Sequence, residues 1–205
     1  MKDKTKFCIP ISDEIVNDIN FADVEFVRSF SKAPLRLPLF QFAFAGRSNV
    51  GKSSLINTIL ERKIAKTSKK PGKTRLINVY KIGNICYLVD LPGYGYANIS
   101  KKIQNEWKEL VEDYLKFSNL LKKVFILVDM RRDIQSQEEN LFFWLNYHHI
   151  SFDIILTKCD KLNRKEYLRQ LKKFGSLNIP FFITSSKTKQ GIKELKNYIE
   201  KLVFN

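Results

Sequence analysis

The stretch AGRSNVGKSS (Ala45–Ser54) follows an apolar run, LFQFAFA (39–45), and leads into KSSLINTIL (52–60), whose Leu55, Ile56, Ile59 and Leu60 share one helical face. Seven nearly continuous apolar positions read as a buried strand, and the i, i+3, i+4 spacing as a helix packed on it. Between them Gly46, Gly51, Lys52 and Ser53 satisfy G-x-x-x-x-G-K-[ST] in the strand–loop–helix setting that this spacing requires. Glycines let the backbone curl until successive N–H groups face one point, and the helix dipole favours an anion there. Gly46, Arg47, Ser48, Asn49, Val50, Gly51, Lys52, Ser53 and Ser54 are therefore expected to wrap a chain of phosphates, with Lys52 reaching the β and γ groups and the Ser53 hydroxyl on a magnesium ion.

Outward from this loop the same alternation continues to the C-terminus. Strands are expected at LINVYKI (76–82) and ICYLVD (85–90), joined by the hairpin signal Gly83-Asn84, then at KVFILVD (123–129), FDIILT (152–157) and PFFIT (180–184). Helices are expected over 103–117, 137–148 and 164–174 and from Gly191 on, where Ile192, Leu195, Ile199 and Leu202 share a face. Alternating strands and helices define an α/β sheet with helices on both faces, mostly parallel but mixed because of the hairpin. Residues 62–75, rich in Lys and Arg, read as a mobile loop. Residues 1–38 read as an extension of a single 205-residue domain, with one edge strand near VEFVRSF (24–30) stopped by Pro34 and Pro38.

A phosphate loop defines a nucleotide site but not the base, and three further segments at strand ends address that. LVDLPG (88–93) carries D-x-x-G: Asp90 is expected to hold magnesium through water, and the Gly93 N–H to reach the γ phosphate past Leu91 and Pro92. Gly72, Lys73 and Thr74 lie in the basic loop, where the Thr74 hydroxyl could close over the metal. In TKCD (157–160) Asp160 is placed to accept from guanine N1 and N2 while the Lys158 stem covers the base plane; adenine lacks that donor pair. TSSKTKQG (184–191) offers Thr184, Ser185 and the Ser186 N–H to the base edge. Strand ends converging on one ligand are the habit of open α/β sheets.

FAFAGRSNVGKSSLIN (42–57), TSKKPGKTRLIN (67–78), LVDLPGYGYA (88–97) and LTKCDKL (156–162) resemble the EngB family, bacterial GTPases implicated in assembly of the large ribosomal subunit. The likeness runs from about Leu37 to Phe204. It implies a Ras-like fold with a six-stranded mixed sheet, binding of GTP and GDP with magnesium, and slow hydrolysis of GTP. It also implies a large ribosomal subunit or its precursor as partner, and a role in growth and cell division. Against the wider GTPase pattern there are two departures. Thr157 replaces asparagine, which is expected to weaken the tie to the phosphate loop. Tyr94 stands where Ras-like proteins carry the glutamine that orients water. Lys52, Thr74 and Gly93 remain the catalytic set, with Asn49 as a fourth member if it holds a potassium ion beside the phosphates, as in related potassium-stimulated GTPases; the alternative is that Asn49 only ties the loop to its surroundings.

Composition bounds the remaining choices. A net charge of +15 favours a polyanionic partner, RNA above all, although a Lys- and Asn-rich genome produces such a balance too. Three widely spaced cysteines indicate neither disulfides nor zinc. No secretory signal and no membrane-length apolar run is seen, so a cytoplasmic monomer is expected. His148 and His149 are adjacent and point about 100° apart, unlike an i, i+4 metal pair. Arg131 and Arg132 face the nucleotide side as a solvated turn or a contact to switch or RNA, and Tyr94 and Tyr96 either stack on a partner or pack inward. Two other functions compete with a GTPase switch: a nucleotide-dependent RNA scaffold with negligible turnover, and an ATPase, against which Asp160 argues.

Overall fold

A computed structural model describes residues 18–66, 76–94 and 101–205, with the side chains of all but 101–104 and 107. Seven strands, β1 (Val24–Phe30), β2 (Phe40–Gly46), β3 (Ile77–Ile82), β4 (Cys86–Asp90), β5 (Leu121–Asp129), β6 (Phe152–Thr157) and β7 (Phe181–Ile183), form one sheet in the order β1-β3-β4-β2-β5-β6-β7. From β4 to β7 every pairing is parallel, whereas β3 runs antiparallel to both β1 and β4. The parallel strands therefore present all their C-terminal ends along one edge.

The sheet has seven strands where the family likeness implies six. The extra one is β1, the edge strand expected near residues 24–30, which pairs with β3 through a register shift between Phe26 and Arg28 and rests the Phe26 ring 5.7 Å from that of Tyr80. Its partner β3 is joined to β4 by the turn at Gly83, whose φ of 47° suits a residue without Cβ.

Five helices complete the layers: α1 (Lys52–Ile59), α2 (Lys101–Phe117), α3 (Ser136–Tyr147), α4 (Arg164–Gly175) and α5 (Ile192–Phe204). Period-2 alternation along β2 divides the core. Ala43 and Ala45 face α2, α3 and α4, joining Leu110, Tyr114, Phe142, Leu145 and Phe174. Phe42 and Phe44 face α1 and α5, joining Leu55, Ile56, Ile59, Leu195 and Ile199. Each buried Phe side chain is worth about 1.5–3 kcal/mol, and a one-residue slip would exchange the two faces, so register is strongly specified. The N-terminal segment joins the second layer: Ile19 and Phe21 are buried there, and the Ile19 N–H donates to Glu200 of α5 at 3.0 Å.

Helix starts follow local chemistry. Both α3 and α4 open on reciprocal capping boxes, Gln135 with Glu138 and Asn163 with Glu166. By contrast α1 begins after Gly51 with no side-chain cap and no acid in its first turn. Residues 62–66, expected to be mobile, are pinned by Asn57, whose Oδ1 accepts from the Ile64 and Ala65 N–H groups while its amide donates to the Ala65 carbonyl. The remainder of that loop, 67–75, lies outside the described residues. Among the described residues no helix is long and apolar enough to cross a membrane.

Candidate nucleotide site

The loop between β2 and α1 is shaped by close contact. A Cβ on Gly46 would stand 3.0 Å from Val50 and 3.1 Å from Leu127, so only glycine lets β2 turn against β5. Two residues take left-handed backbone, Asn49 at φ 63° and Gly51 at φ 107°; asparagine tolerates this region and glycine enters it freely. The turn leaves the first N–H groups of α1 without a side-chain acceptor, at the positive end of the dipole, which is an anion seat.

Lys52, the first helical residue, is buried and ion-paired with the equally buried Asp90 at the end of β4. Ser53 follows on α1, half-buried. Hydroxyl and carboxylate oxygens are the donors a hard cation prefers, and among the described residues no cluster of three His, Cys, Asp or Glu exists to form a dedicated cage. Magnesium, which keeps its waters and shares phosphate oxygens, fits such a sparse donor set. Thr74, with Gly72 and Lys73, lies outside the described residues, as does Tyr96.

Asp90 is followed by Leu91 and Pro92, both buried, and then by Gly93 and Tyr94, which lie along the phosphate loop. The Tyr94 N–H donates to Gly46 O at 3.3 Å, and the Ser48 N–H donates to Tyr94 O at 3.1 Å. A Cβ on Gly93 would be 3.4 Å from Gly46 O and from Ser48 N. Tyr94 itself packs inward, one of the two placements expected. Burial, reinforced by Glu138, pushes its phenol well above the ordinary range, while Arg47 opposes. Arg47 reaches the same place from the phosphate loop, bonding Gln135 and approaching Glu138 at 4.0 Å. Glu138 is buried and its other oxygen accepts from the Gln135 N–H, so the start of α3 is tied to the phosphate loop.

At the end of β6 the Thr157 hydroxyl donates to Val50 O at 2.7 Å, with Val128 O at 3.3 Å. Threonine thus keeps a tie to the phosphate-loop carbonyl at the position where asparagine is usual. Lys158, in left-handed backbone at φ 60°, spans the gap, donating to Asn49 O at 2.6 Å and pairing with Asp129 at 3.0 Å. Asp129 is further gripped by Arg131, whose Nε and terminal nitrogen donate at 2.9 and 2.7 Å. Burial raises this carboxyl, but the Arg131 fork and the Lys158 ammonium outweigh it and bring it down to about 2.

Asp160 sits in a short 3-10 turn (Cys159–Lys161) and accepts from the Ser185 hydroxyl at 2.6 Å. Ser185 is fully buried, and its oxygen also accepts from the Lys187 and Thr188 N–H groups. The Ser185 hydroxyl thus orients the Asp160 carboxylate, and the loop after β7 closes over it. Thr184, equally buried, donates to Leu156 O and locks β7 to β6, while Ser186 remains half-exposed beside it.

Two links escaped the sequence reading, Asp129–Lys158 and Arg47–Glu138. Both join residues far apart in the chain, and the only signals were an acid at the end of β5 and one in the first turn of α3. His148 closes α3, its ring against Trp144 at 4.3 Å. Cys86 and Cys159 are buried free thiols, and burial pushes Cys86 up to about 12.

A mostly parallel sheet carrying a phosphate loop, an Asp-x-x-Gly turn packed on that loop, and an acid held at the far end of the same edge define a P-loop GTPase. Similarity to known proteins carries this to a family. A profile described as "50S ribosome-binding GTPase" matches residues 41–158. The chain is 46% identical over 176 residues to the probable GTP-binding protein EngB of Desulforapulum autotrophicum, covering 82% of this chain and 91% of that one. With the corresponding Thermotoga maritima protein it shares 43% over 196 residues, covering 92% and 98%. Among solved structures, a crystal structure of a probable GTP-binding protein engB superposes with a TM-score of 0.63 at 26% identity, covering 80% of this chain and 98% of that one. The chain belongs to the EngB family of GTP-binding proteins.

Proposed function

We propose that this GTPase acts as a switch in assembly of the large ribosomal subunit, joining a preribosomal particle with GTP bound and leaving once GTP is hydrolysed. It would act as a cytoplasmic monomer, one domain with residues 1–38 as an extension, and so serve growth and division. The observation that carries the nucleotide half of this reading is the arrangement along one sheet edge: the anion seat at Gly51–Ser53 and the Ser185-held carboxylate of Asp160, with Lys158 bridging between them. The ribosomal half is supported by the description of the matching family and by the charge of +15.

In this reading the N–H groups of residues 46–54 surround the phosphates. Lys52 leaves Asp90 for the β and γ oxygens, and Asp160 receives the guanine N1 and N2 protons. Ser53, Thr74 and, through water, Asp90 would hold magnesium, which supplies charge neutralisation between the β and γ groups. Water attacks the γ phosphorus, the bond to the β-bridging oxygen breaks, and GDP and phosphate result. Tyr94 is turned inward and cannot orient that water, so unassisted turnover is slow; Gly93 would supply an N–H to the γ phosphate. Asn49 would contribute if a potassium ion joins the site, an idea that equal rates in sodium and potassium would end.

Sedimentation of the chain with large ribosomal subunits, loaded with a nonhydrolysable GTP analogue or with GDP, tests the switch. Binding that depends on the analogue, and hydrolysis accelerated by subunits under single-turnover conditions, are expected. Binding indifferent to the nucleotide, with no acceleration, would leave only a scaffold.

A further inference from the structure

The positive charge of this protein is unevenly distributed among its helices. Helix α2 carries four basic and four acidic residues, α3 two acids and no base, and α5 three bases and two acids. Helix α4, RKEYLRQLKKFG, carries five bases against a single acid. A genome-wide bias toward lysine would enrich all solvated helix faces alike; it does not account for this concentration.

The placement of those charges on α4 is regular. Arg164, Lys165, Arg169 and Lys172 are exposed at i, i+1, i+5 and i+8, a stripe opposite the buried Gln170 and Phe174 that seat the helix on the core. Leu168, 54% exposed, lies in the middle of the stripe. The one acid, Glu166, is turned back to the helix start, where it accepts from the Asn163 N–H at 3.0 Å. Lys173, at the border, is already satisfied by Asp133 at 2.7 Å. Among the described residues no ion pair involves Arg164, Lys165, Arg169 or Lys172. The stripe runs for about 12 Å along the helix axis, a length over which a nucleic-acid strand presents several phosphates.

We propose that the exposed face of α4 is a docking surface for RNA, gripping backbone phosphates through Arg164, Lys165, Arg169 and Lys172 with Leu168 against sugar. This rests on the reading above that the chain meets an RNA-containing particle, and it moves the main contact away from the switch segments. Charge complementarity selects the partner. Four cations outside any ion pair, with Glu166 turned to the helix start and only Asp133 acting on Arg169 from nearby, suit a polyphosphate, and arginine guanidinium matches phosphate geometry in two-point contact. The position also has a functional consequence. Helix α4 begins four residues after Asp160, and only Leu162 separates its cap residue Asn163 from the turn that holds the base-selecting acid. A phosphate chain seated on α4 lies beside the guanine end of the site, where docking and nucleotide binding influence each other reciprocally.

The test uses the full chain with GDP bound and a variant with Arg164→Gln, Lys165→Gln, Arg169→Gln and Lys172→Gln, glutamine keeping helix propensity. A control removes the same charge elsewhere, through Lys108→Gln, Lys116→Gln, Lys193→Gln and Lys201→Gln. Binding is measured to protein-free 23S ribosomal RNA across salt concentrations, to isolated large subunits, and to phosphatidylglycerol vesicles. The α4 variant is expected to lose about 100-fold in RNA affinity at 0.15 M salt, with the slope of log affinity against log salt shallower by roughly 3. The control should lose far less, and both should bind GDP as the parent does, which shows that they fold. Equal losses in the two variants would overturn the proposal, since net charge alone would then explain binding. Vesicle binding lost in the α4 variant with RNA binding untouched would overturn it in favour of a lipid surface. Failure of the parent chain to sediment with large subunits, while it binds naked RNA through α4, would refute the ribosomal reading and leave the surface assigned.

Discussion

Thr157→Val exchanges a hydroxyl for a methyl at nearly constant volume in a site where the residue is 4% exposed. The hydroxyl makes the 2.7 Å bond to Val50 O, so the change removes one buried hydrogen bond and strands a carbonyl of the phosphate loop. A neutral buried bond contributes about 1 kcal/mol and a stranded acceptor raises the loss to about 2 kcal/mol. The half expected in the stability of the nucleotide-free chain, about 1 kcal/mol, lowers the thermal midpoint by about 2–4 °C for a chain of this size. Because the bond joins β6 to the loop that must curl around phosphate, roughly half the loss is expected in binding, weakening GDP about fivefold at 1.4 kcal/mol per tenfold. Thr157→Ser keeps the hydroxyl and should stay within about twofold of the parent. Thermal unfolding without nucleotide and displacement of a fluorescent GDP analogue measure the two parts. If valine and serine at this position bind GDP equally well, the Thr157–Val50 bond does not order the loop.

Other positions give independent checks. Asp160→Asn should exchange guanine for xanthine preference, read by competition between GDP and XDP, and retained guanine selectivity would remove the base assignment. Lys52→Ala should abolish hydrolysis and also lower the stability of the nucleotide-free protein by about 3 kcal/mol, because Asp90 is left buried without its partner; denaturant unfolding distinguishes this from a purely catalytic loss. Asp129→Asn frees Lys158 and Arg131 and should weaken GDP several-fold while leaving single-turnover hydrolysis of saturating GTP close to the parent rate. The carboxyl of Asp129 is held at about 2 against an ordinary 3.8, so its stabilisation is complete above about pH 4 and disappears as pH falls through 2. Urea unfolding of parent and variant should accordingly converge as pH falls from 4 toward 2, and a gap that widens would contradict the pairing.

Much of the fold was legible because its signals are local. The apolar run before Gly46, the hairpin glycine at 83 and the period of Ile192, Leu195 and Ile199 each specify an element within a few residues, and the observed boundaries differ by one or two positions. The phosphate loop was legible for the same reason, since its glycines answer steric demands made by neighbouring residues. What could not be read is contact across the sheet. Whether Thr157 reaches Val50 depends on where β6 ends relative to β2, and Ser185 supports Asp160 because the loop after β7 folds over it. The pairing of Asp129 with Lys158, like that of Arg47 with α3, joins residues separated by tens of positions, where sequence spacing carries no distance. The clamp of Asn57 on residues 64–65 is nearer, yet a loop rich in lysine offers no pattern that would announce an asparagine holding it.

Strand β1 has a practical consequence for anyone who trims this protein to its matched GTPase core. It occupies the outer side of β3, while its own free edge is interrupted by the shift at Phe26–Arg28 and flanked by the charged Glu25 and Arg28. A chain begun near residue 37 keeps every nucleotide-site residue but uncovers a straight row of β3 amides and carbonyls with no such protection. Those groups are a template for strand exchange between molecules, so the shortened protein should self-associate and precipitate even while it still binds GDP.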